Sequence, residues 1–222
     1  MTITTPDAAQ RFHARLGTAP DGADVTVHAY GNILIQGASG SGKTGALDTL
    51  SAQWRKTPGV AVVEIRCTPR DRHGRWGWHF VFDGDVRETT WEGVRTFLTE
   101  SATAVREDAY TGPTILVIEE LRPTDHLVVE AVETLLTFGR SCGLDVVFTT
   151  YPLPELLRPL RRWCATRIYV DPTNDHSVDA ADAIERARKS GQEPLRGPGS
   201  FIVANDRCDV GRVPHAPGEE TL

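Results

Sequence analysis

The sequence lacks the features that mark membrane, secreted or zinc-binding proteins. No segment of its 222 residues reaches the roughly 18 to 20 consecutive apolar residues that span a bilayer. The amino terminus shows neither a signal peptide nor an anchor. The four cysteines have no C-x-x-C spacing, which argues against a zinc site and a disulfide framework; they are Cys67, Cys142, Cys164 and Cys208. We therefore expect a soluble, cytoplasmic protein without membrane insertion, with reduced and mostly buried thiols.

Positive charge is also in the minority. The formal net charge is −6, which argues against a surface that is basic throughout. A protein that moves along nucleic acid needs positive charge only where it touches the polyanion. The acidic balance therefore leaves a nucleic-acid partner open.

Length and composition predict one α/β domain. The 40% share of hydrophobic residues is enough for a full core, and no stretch suggests a second domain. We expect a lead-in segment over residues 1–23, with a short helix at 6–16 and a turn at 20–22. The domain then covers residues 24–210. Residues 211–222 are rich in proline, glycine and acid and are expected to be disordered.

A glycine-rich stretch carries the clearest motif. The apolar run of residues 32–36 leads into the pattern G-x-x-x-x-G-K-[ST], and apolar residues at helical spacing follow it. Such a turn can match by chance, but the strand before it and the helix after it favour a phosphate-binding loop. Glycine lets backbone amides turn inward around phosphates. The residues expected to contact the nucleotide are Gly37, Ser39, Gly40, Ser41, Gly42, Lys43 and Thr44.

Two of these residues have individual roles. Lys43 is expected to reach the β- and γ-phosphates, and Thr44 to place its hydroxyl on Mg²⁺. The helix that begins here would direct its positive end at the same anion. ATP and Mg²⁺ are thus the expected cofactors.

A second apolar strand, residues 114–118, ends in paired carboxylates. In a Walker B segment the first acid, here Glu119, holds the Mg²⁺ shell, and the second, Glu120, orients and deprotonates the attacking water. The alternative is a solvated strand end, which the upstream phosphate loop disfavours. Aspartate is usual at the first position; bridging waters on Mg²⁺ can accommodate the longer Glu119.

The remaining pattern predicts further strands and helices. Strands are expected at residues 24–30, 60–65 and 144–152, and helices at 89–107, 126–140 and 180–189. The strand, helix, strand order implies a parallel sheet. The basic and aromatic residues 66–79 either face nucleic acid or form a strand that Trp76 and Trp78 anchor to the core, with solvated arginines around them. Thr150 ends a strand beside the phosphates, either as a γ-phosphate sensor or as a plain strand terminus.

The motifs together resemble the FtsK/SpoIIIE and HerA ATPases over about residues 24–205. The resemblance is carried by the phosphate loop, the acidic strand end, the segment G-R-S-C-G-L-D-V-V-F-T-T of residues 139–150, residues 165–168, and a closing hairpin at 197–203. It implies a RecA-like P-loop NTPase: a mostly parallel central sheet flanked by helices, with a closing β-hairpin.

The resemblance also implies a function. Family members are homo-oligomeric rings that pull double-stranded DNA with ATP, so a hexamer or pentamer is expected. Arg140 corresponds to the arginine finger that enters the neighbouring subunit's site, although an arginine at a helix end is favourable without that role. The family's sensor glutamine falls at Tyr151 in an ungapped match. No part of this sequence matches the membrane helices, linker or winged helix that chromosome-pumping members add to this core. We therefore expect a bare motor that acts in viral genome packaging or mobile-element transfer, with a portal or membrane complex as its partner.

Two other functional classes stay open. The chain could be a non-motor P-loop NTPase or kinase acting on a small molecule or a protein. It could also be a degenerate structural subunit, since Glu119 and Tyr151 depart from the family pattern. The arginines expected to contact DNA, or else to form solvated faces, are Arg158, Arg161, Arg162, Arg167, Arg186 and Arg188.

Overall fold

The structure is a computed structural model of the chain. It describes residues 13–28, 31–69, 76–82, 84–110, 113–121, 125–152, 155–205 and 208–214. Several positions of the predicted segments lie outside these ranges: residues 1–12 of the lead-in, residues 29–30 of the first predicted strand, residues 70–75 of the basic and aromatic segment, and residues 215–222 of the tail.

The described residues form eleven strands and four α-helices. The strands are β1 (His13–Thr18), β2 (Asp24–His28), β3 (Asn32–Gln36), β4 (Ala61–Pro69), β5 (Trp76–Phe82), β6 (Asp85–Thr89), β7 (Thr114–Ile118), β8 (Leu144–Thr150), β9 (Cys164–Val170), β10 (Ser200–Ala204) and β11 (Cys208–Arg212). The helices are α1 (Lys43–Trp54), α2 (Trp91–Arg106), α3 (His126–Phe138) and α4 (Val178–Lys189).

All eleven strands belong to one sheet, in the order β2-β1-β11-β10-β9-β3-β8-β7-β4-β5-β6. The five strands from β9 to β4 are parallel. An antiparallel wing flanks them on each side. The predicted parallel arrangement is therefore confirmed for the centre of the sheet, whereas the two wings contradict the expectation of a mostly parallel sheet.

Strand β3 lies inside the parallel centre, between β8 and β9, and all five of its residues are buried. Ile33 and Ile35 pack on one face with α1, and Leu34 packs on the other with α2 and α3. Burial on both faces explains why this strand reads as a continuous apolar run. The phosphate loop thus starts from a rigid central element.

The first residue of β3, Asn32, has three specific hydrogen-bond partners. Asn32 Nδ2 donates to the carbonyl oxygens of Leu136 at 2.8 Å and Trp163 at 3.0 Å, and Asn32 Oδ1 accepts from Val146 N at 2.9 Å. A buried amide with these partners costs little and ties β3 to the start of β8. Strand register is therefore fixed at the end opposite the phosphate loop.

Two predictions about the chain ends are wrong. The helix expected at residues 6–16 is a strand over its described part, because Ala14 and Leu16 alternate inward and β1 pairs with β2. The boundary expected at residue 211 is also wrong, since Gly211 and Arg212 still belong to β11 and pair with β10. Pairing partners elsewhere in the chain decide both cases. The predicted turn at 20–22 is present.

Other expectations are confirmed. Trp78 lies on β5 and packs against Trp91 of α2, with ring centroids 5.0 Å apart, so this part of the aromatic segment is anchored to the core. Three of the four cysteines are buried and Cys142 is half-buried; all four are free thiols. Among the helices of the described ranges, none is long and apolar enough to cross a membrane.

Candidate functional site

The phosphate loop connects the end of β3 to the start of α1. Gly40 and Gly42 have φ angles of 72° and 101°, in the left-handed region that glycine occupies without strain. A Cβ on Gly37 would lie 2.5 Å from the carbonyl oxygen of Val170 and 2.6 Å from Ser41 Oγ. The loop is therefore wound so tightly that glycine is required, as in loops that turn their amides towards a phosphate.

The Lys43 side chain lies inside this loop. Its Nζ donates to the carbonyl oxygens of Gly37 at 2.9 Å and Ala38 at 2.8 Å. Burial lowers the pKa of Lys43, while the carboxylates of Glu120, Asp175 and Glu119 oppose that shift. The ammonium group thus sits at the centre of the loop, with three acidic side chains around it.

A direct hydrogen bond joins the loop to the acidic strand end. Thr44 Oγ1 donates to Glu119 Oε1 at 2.7 Å, and Glu119 N donates to the carbonyl oxygen of Ile65 at 2.8 Å. The extra methylene of Glu119 relative to aspartate does not hold its carboxylate away from the loop. A hydroxyl and a carboxylate are hard oxygen donors of the kind that Mg²⁺ prefers, so the pair fits the ion that the sequence implies.

Arg66 corrects one sequence interpretation. Assigned to a basic segment that would face nucleic acid or solvent, it is buried on β4. It pairs with Glu64 at 2.5 Å and with Asp48 at 2.8 Å, and its Nη1 lies 3.7 Å from Glu119 Oε2. Arg55 also pairs with Glu64. Arg66 is therefore an internal support of Glu119 and cannot contact DNA.

Glu120 has an unusual backbone conformation. Its φ is 55°, a region that residues with a side chain adopt only under constraint. Its N–H donates to Thr149 Oγ1 at 2.8 Å, and its Oε1 accepts from Tyr151 Oη at 3.1 Å. The end of β8 thus holds both the backbone and the carboxylate of Glu120.

The other predicted nucleotide contacts also lie at this edge. The carbonyl oxygen of Thr150 accepts from Gly37 N at 3.3 Å. The Tyr151 ring centroid lies 4.5 Å from Lys43 Nζ. Ser41 Oγ is buried and has no hydrogen-bond partner among the described residues, as is common for a group that meets a ligand. The structure thus brings together the phosphate loop, both glutamates, Thr150 and Tyr151.

Two further segments complete the site, and only the second, at residues 197–203, was singled out in the sequence. Asp175 accepts from Gln36 Nε2 at 3.1 Å, which brings the segment after β9 to the phosphate loop. Gly199 N donates to the carbonyl oxygen of Ser41 at 2.8 Å, directly before the β10–β11 hairpin. Asp175 belongs to no local motif. Thr149 lies in the segment of residues 139–150 that carries the resemblance, at the end of a buried strand.

Arg140 lies elsewhere. It sits in the 3₁₀ segment Gly139–Cys142 before β8, whereas the phosphate loop follows β3, the parallel neighbour of β8. The two therefore lie at opposite ends of these parallel strands. The rise of six to seven strand residues separates them by roughly 20 Å. Arg140 lines a cleft of 1320 Å³ together with acidic residues that include Asp24 and Asp209. It cannot reach the phosphate loop of its own chain.

Several of the arginines expected at DNA have acidic partners within the chain. Arg161 pairs with Asp179, Arg162 with Glu133 at 3.0 Å, and Arg188 with Glu193 at 3.2 Å. Such pairs reduce the local positive charge that a phosphate backbone would meet. The basic segments are therefore less cationic than the sequence suggests.

The sheet and this loop together have the arrangement of a P-loop nucleotide-binding fold. No protein-family model matches the sequence, and comparison with curated proteins gives no match. Solved structures do match. They include the cytoplasmic domain of the type VII secretion ATPase EccC from Thermomonospora curvata, with a TM-score of 0.65 and 16% identity over 99% of this chain. The conjugation coupling protein TcpA of pCW3, solved with ATPγS, gives 0.58 and 14% over 92%.

A third match is the genome-packaging NTPase B204 of Sulfolobus turreted icosahedral virus 2 in complex with ATPγS. Its TM-score is 0.51, with 13% identity over 83% of this chain and 98% of that one. All three are FtsK/HerA-type P-loop ATPases, so the resemblance indicated by the motifs is confirmed at the level of the fold. This chain spans 30% of the EccC structure and 66% of the TcpA structure.

Proposed function

We propose that this protein is an ATP-driven translocase of double-stranded DNA of the FtsK/HerA type, with a RecA-like core, acting in viral genome packaging or mobile-element transfer. The observation that carries the proposal is the hydrogen bond between Thr44 and Glu119, beside Lys43 and Glu120. This bond joins the hydroxyl that we assign to Mg²⁺ with the acid that we assign to a Walker B segment. The likeness to a packaging NTPase and a conjugation coupling protein supports DNA as the partner.

Each side chain at the loop has a proposed role. Backbone amides of residues 37–42 and the Lys43 ammonium bind the polyphosphate, Thr44 and Glu119 hold Mg²⁺, and Glu120 orients the attacking water and accepts its proton. Thr150 and Tyr151 border the γ-phosphate. When bound, Mg²⁺ would neutralise charge on the phosphate oxygens.

The position of Arg140 supports action between subunits. Arg140 lies at the end of the strands opposite the phosphate loop of its own chain. It can therefore contact a nucleotide only if that nucleotide is bound to a neighbouring chain. We infer a homo-oligomeric ring, a hexamer or pentamer, in which Arg140 stabilises charge on the neighbour's γ-phosphate. The ring would act in the cytoplasm and dock on a portal or a membrane complex.

Mixing two inactive variants tests this proposal. Lys43→Ala should lose ATPγS affinity, and Arg140→Ala should bind ATPγS normally but not hydrolyse ATP. Mixed, they should recover part of the turnover, because one chain supplies the finger and the other the loop. Lys56→Ala, at an exposed lysine beyond α1, is the matched control. Concentration-independent hydrolysis by a monomer that is indifferent to Arg140→Ala would contradict the ring.

Linear duplex DNA separates the candidate functions. For the translocase, DNA should raise turnover, and the stimulation should fall as salt increases because phosphate contacts release counterions. The likeness to EccC favours a second candidate, an ATPase that acts on protein; its turnover would not respond to DNA. A degenerate structural subunit would show no turnover at all, although the reach of Glu119 to Thr44 argues against that alternative.

A further inference from the structure

Tyr151 contacts two charged groups of the candidate site, the ammonium of Lys43 and the carboxylate of Glu120. It follows β8, and its phenol oxygen donates to Glu120 Oε1 at 3.1 Å. Its ring centroid lies 4.5 Å from Lys43 Nζ. One side chain thus connects the cation of the phosphate loop with the second carboxylate of the acidic strand end.

The contact with Lys43 uses the face of the ring. Two N–H donors of the ammonium are directed at the carbonyl oxygens of Gly37 and Ala38, and the aromatic face covers the group at a distance typical of a cation–π interaction. Because burial disfavours a charged lysine, a ring that attracts the cation helps to retain it inside the loop.

The contact with Glu120 uses the hydroxyl. Thr149 Oγ1 accepts from Glu120 N at 2.8 Å, which holds the backbone in its left-handed conformation, while Tyr151 holds the carboxylate. A carboxylate with one fixed oxygen has fewer orientations to sample, and orientation of a reacting group is a large part of catalysis. Residues on either side of Thr150 therefore fix Glu120 at two points.

We infer that Tyr151 is a positioning residue that couples Lys43 to Glu120. The hydroxyl orients the Glu120 carboxylate towards the attacking water, and the ring keeps the Lys43 ammonium at the phosphates. The inference rests on the proposed ATP hydrolysis and adds to it: the tyrosine acts through these two side chains, at the position where related ATPases are expected to carry glutamine.

Three substitutions separate the two contacts. Tyr151→Phe keeps the ring and removes the hydroxyl, Tyr151→Gln keeps a donor and removes the ring, and Tyr151→Leu removes both. We expect Tyr151→Phe to bind ATPγS like the wild type but to lower kcat about 10-fold. Tyr151→Gln should retain kcat within about threefold, because its amide can donate to Glu120, and bind ATPγS about 2- to 5-fold more weakly. Tyr151→Leu should show both losses, and Tyr110→Phe, outside the site, should show neither.

The opposite pattern would overturn the inference. A wild-type kcat in Tyr151→Phe would show that the hydroxyl does not orient Glu120. A kcat of Tyr151→Gln no higher than that of Tyr151→Leu would show the same. Unchanged ATPγS affinity in Tyr151→Gln would remove the role of the ring.

A measurement that does not need turnover separates this inference from the proposed function. With 3-fluorotyrosine at position 151, the ¹⁹F resonance should shift in Glu120→Gln and in Lys43→Ala, even if the wild type hydrolyses no ATP. Absence of hydrolysis would contradict the proposed ATPase alone. A resonance that is insensitive to both variants would contradict the coupling by Tyr151.

Discussion

Thr44 and Glu119 are joined by a hydrogen bond of 2.7 Å from Oγ1 to Oε1. Thr44 lies in the first turn of α1 and Glu119 follows β7, and β7 is separated from β3 by β8. The bond therefore shows that the phosphate loop and the acidic strand end lie at the same end of three neighbouring parallel strands, β3, β8 and β7. It also marks the place where Mg²⁺ is proposed to bind.

The first prediction concerns the Thr44 hydroxyl. Thr44→Val should raise the Mg²⁺ concentration for half-maximal ATP hydrolysis at least about 10-fold, because an oxygen donor to the ion is lost. Thr44→Ser keeps the hydroxyl and should stay within about threefold of the wild type. Titration of turnover with Mg²⁺ measures both, and an equal loss in the two variants would assign Thr44 to packing instead.

The second prediction concerns Glu120. Glu120→Gln should lower kcat by about 100-fold or more, since an amide cannot accept a proton as a base does. ATPγS affinity, measured by calorimetry, should stay within about threefold. Glu107→Gln, at the end of α2, is the control. If binding and turnover fell together, Glu120 would be a structural carboxylate.

The third prediction concerns the buried ion pairs of Arg66. Arg66→Met should lower the free energy of unfolding by about 3 kcal/mol, because Glu64, which is 1% exposed, loses one of the two cationic partners that it has among the described residues. Arg87→Met breaks an exposed pair with Asp85 and a cation–π contact with the Phe82 ring, and it should cost at most about 1 kcal/mol. Urea unfolding measures both values.

A double variant tests the cause of that loss. Glu64→Leu combined with Arg66→Met removes the buried charge and should recover part of the stability lost in Arg66→Met. A double variant less stable than Arg66→Met would show that packing, rather than an uncompensated carboxylate, sets the cost.

The fourth prediction concerns pH. Burial raises the pKa of Asp145 to about 6, against the opposing charge of Arg140. The native state therefore binds this proton more tightly than the unfolded chain does. As pH rises from about 4 to 6 the unfolded chain ionises first, and the free energy of unfolding falls. Asp145→Asn should therefore stabilise the protein, by about 1.5 kcal/mol more at pH 8 than at pH 5. Urea unfolding at the two pH values measures this, and a pH-independent difference would contradict it.

The phosphate loop and the acidic strand end could be predicted because each depends on neighbouring residues. A buried strand, a glycine pattern and a helix follow one another directly around Lys43, and Glu119 comes straight after a buried strand. Parallel strands bring such ends to one edge of the sheet. That Thr44 and Glu119 meet follows from these two local patterns.

Other features depend on distant partners. Residues 13–18 become a strand because β2 and β11 accept them, and nothing in the segment itself requires this. Arg66 looks like a surface arginine until Glu64 and Asp48 are placed beside it. The contact of Tyr151 with Lys43 exists only because β8 lies next to β3. Long-range pairing decided each of these cases.

The place of β3 in the sheet has a consequence for how the protein is synthesised. Ile33 pairs with Val147 on one side and with Thr166 on the other, so the strand leaves the ribosome long before either partner exists. Contacts between such distant segments form late in folding. A nascent chain released before β9 would carry the whole glycine motif without the support that shapes it. We therefore expect only chains that have formed the sheet around β3 to bind nucleotide. Capture on immobilised ATP should then separate folded chains from incomplete ones.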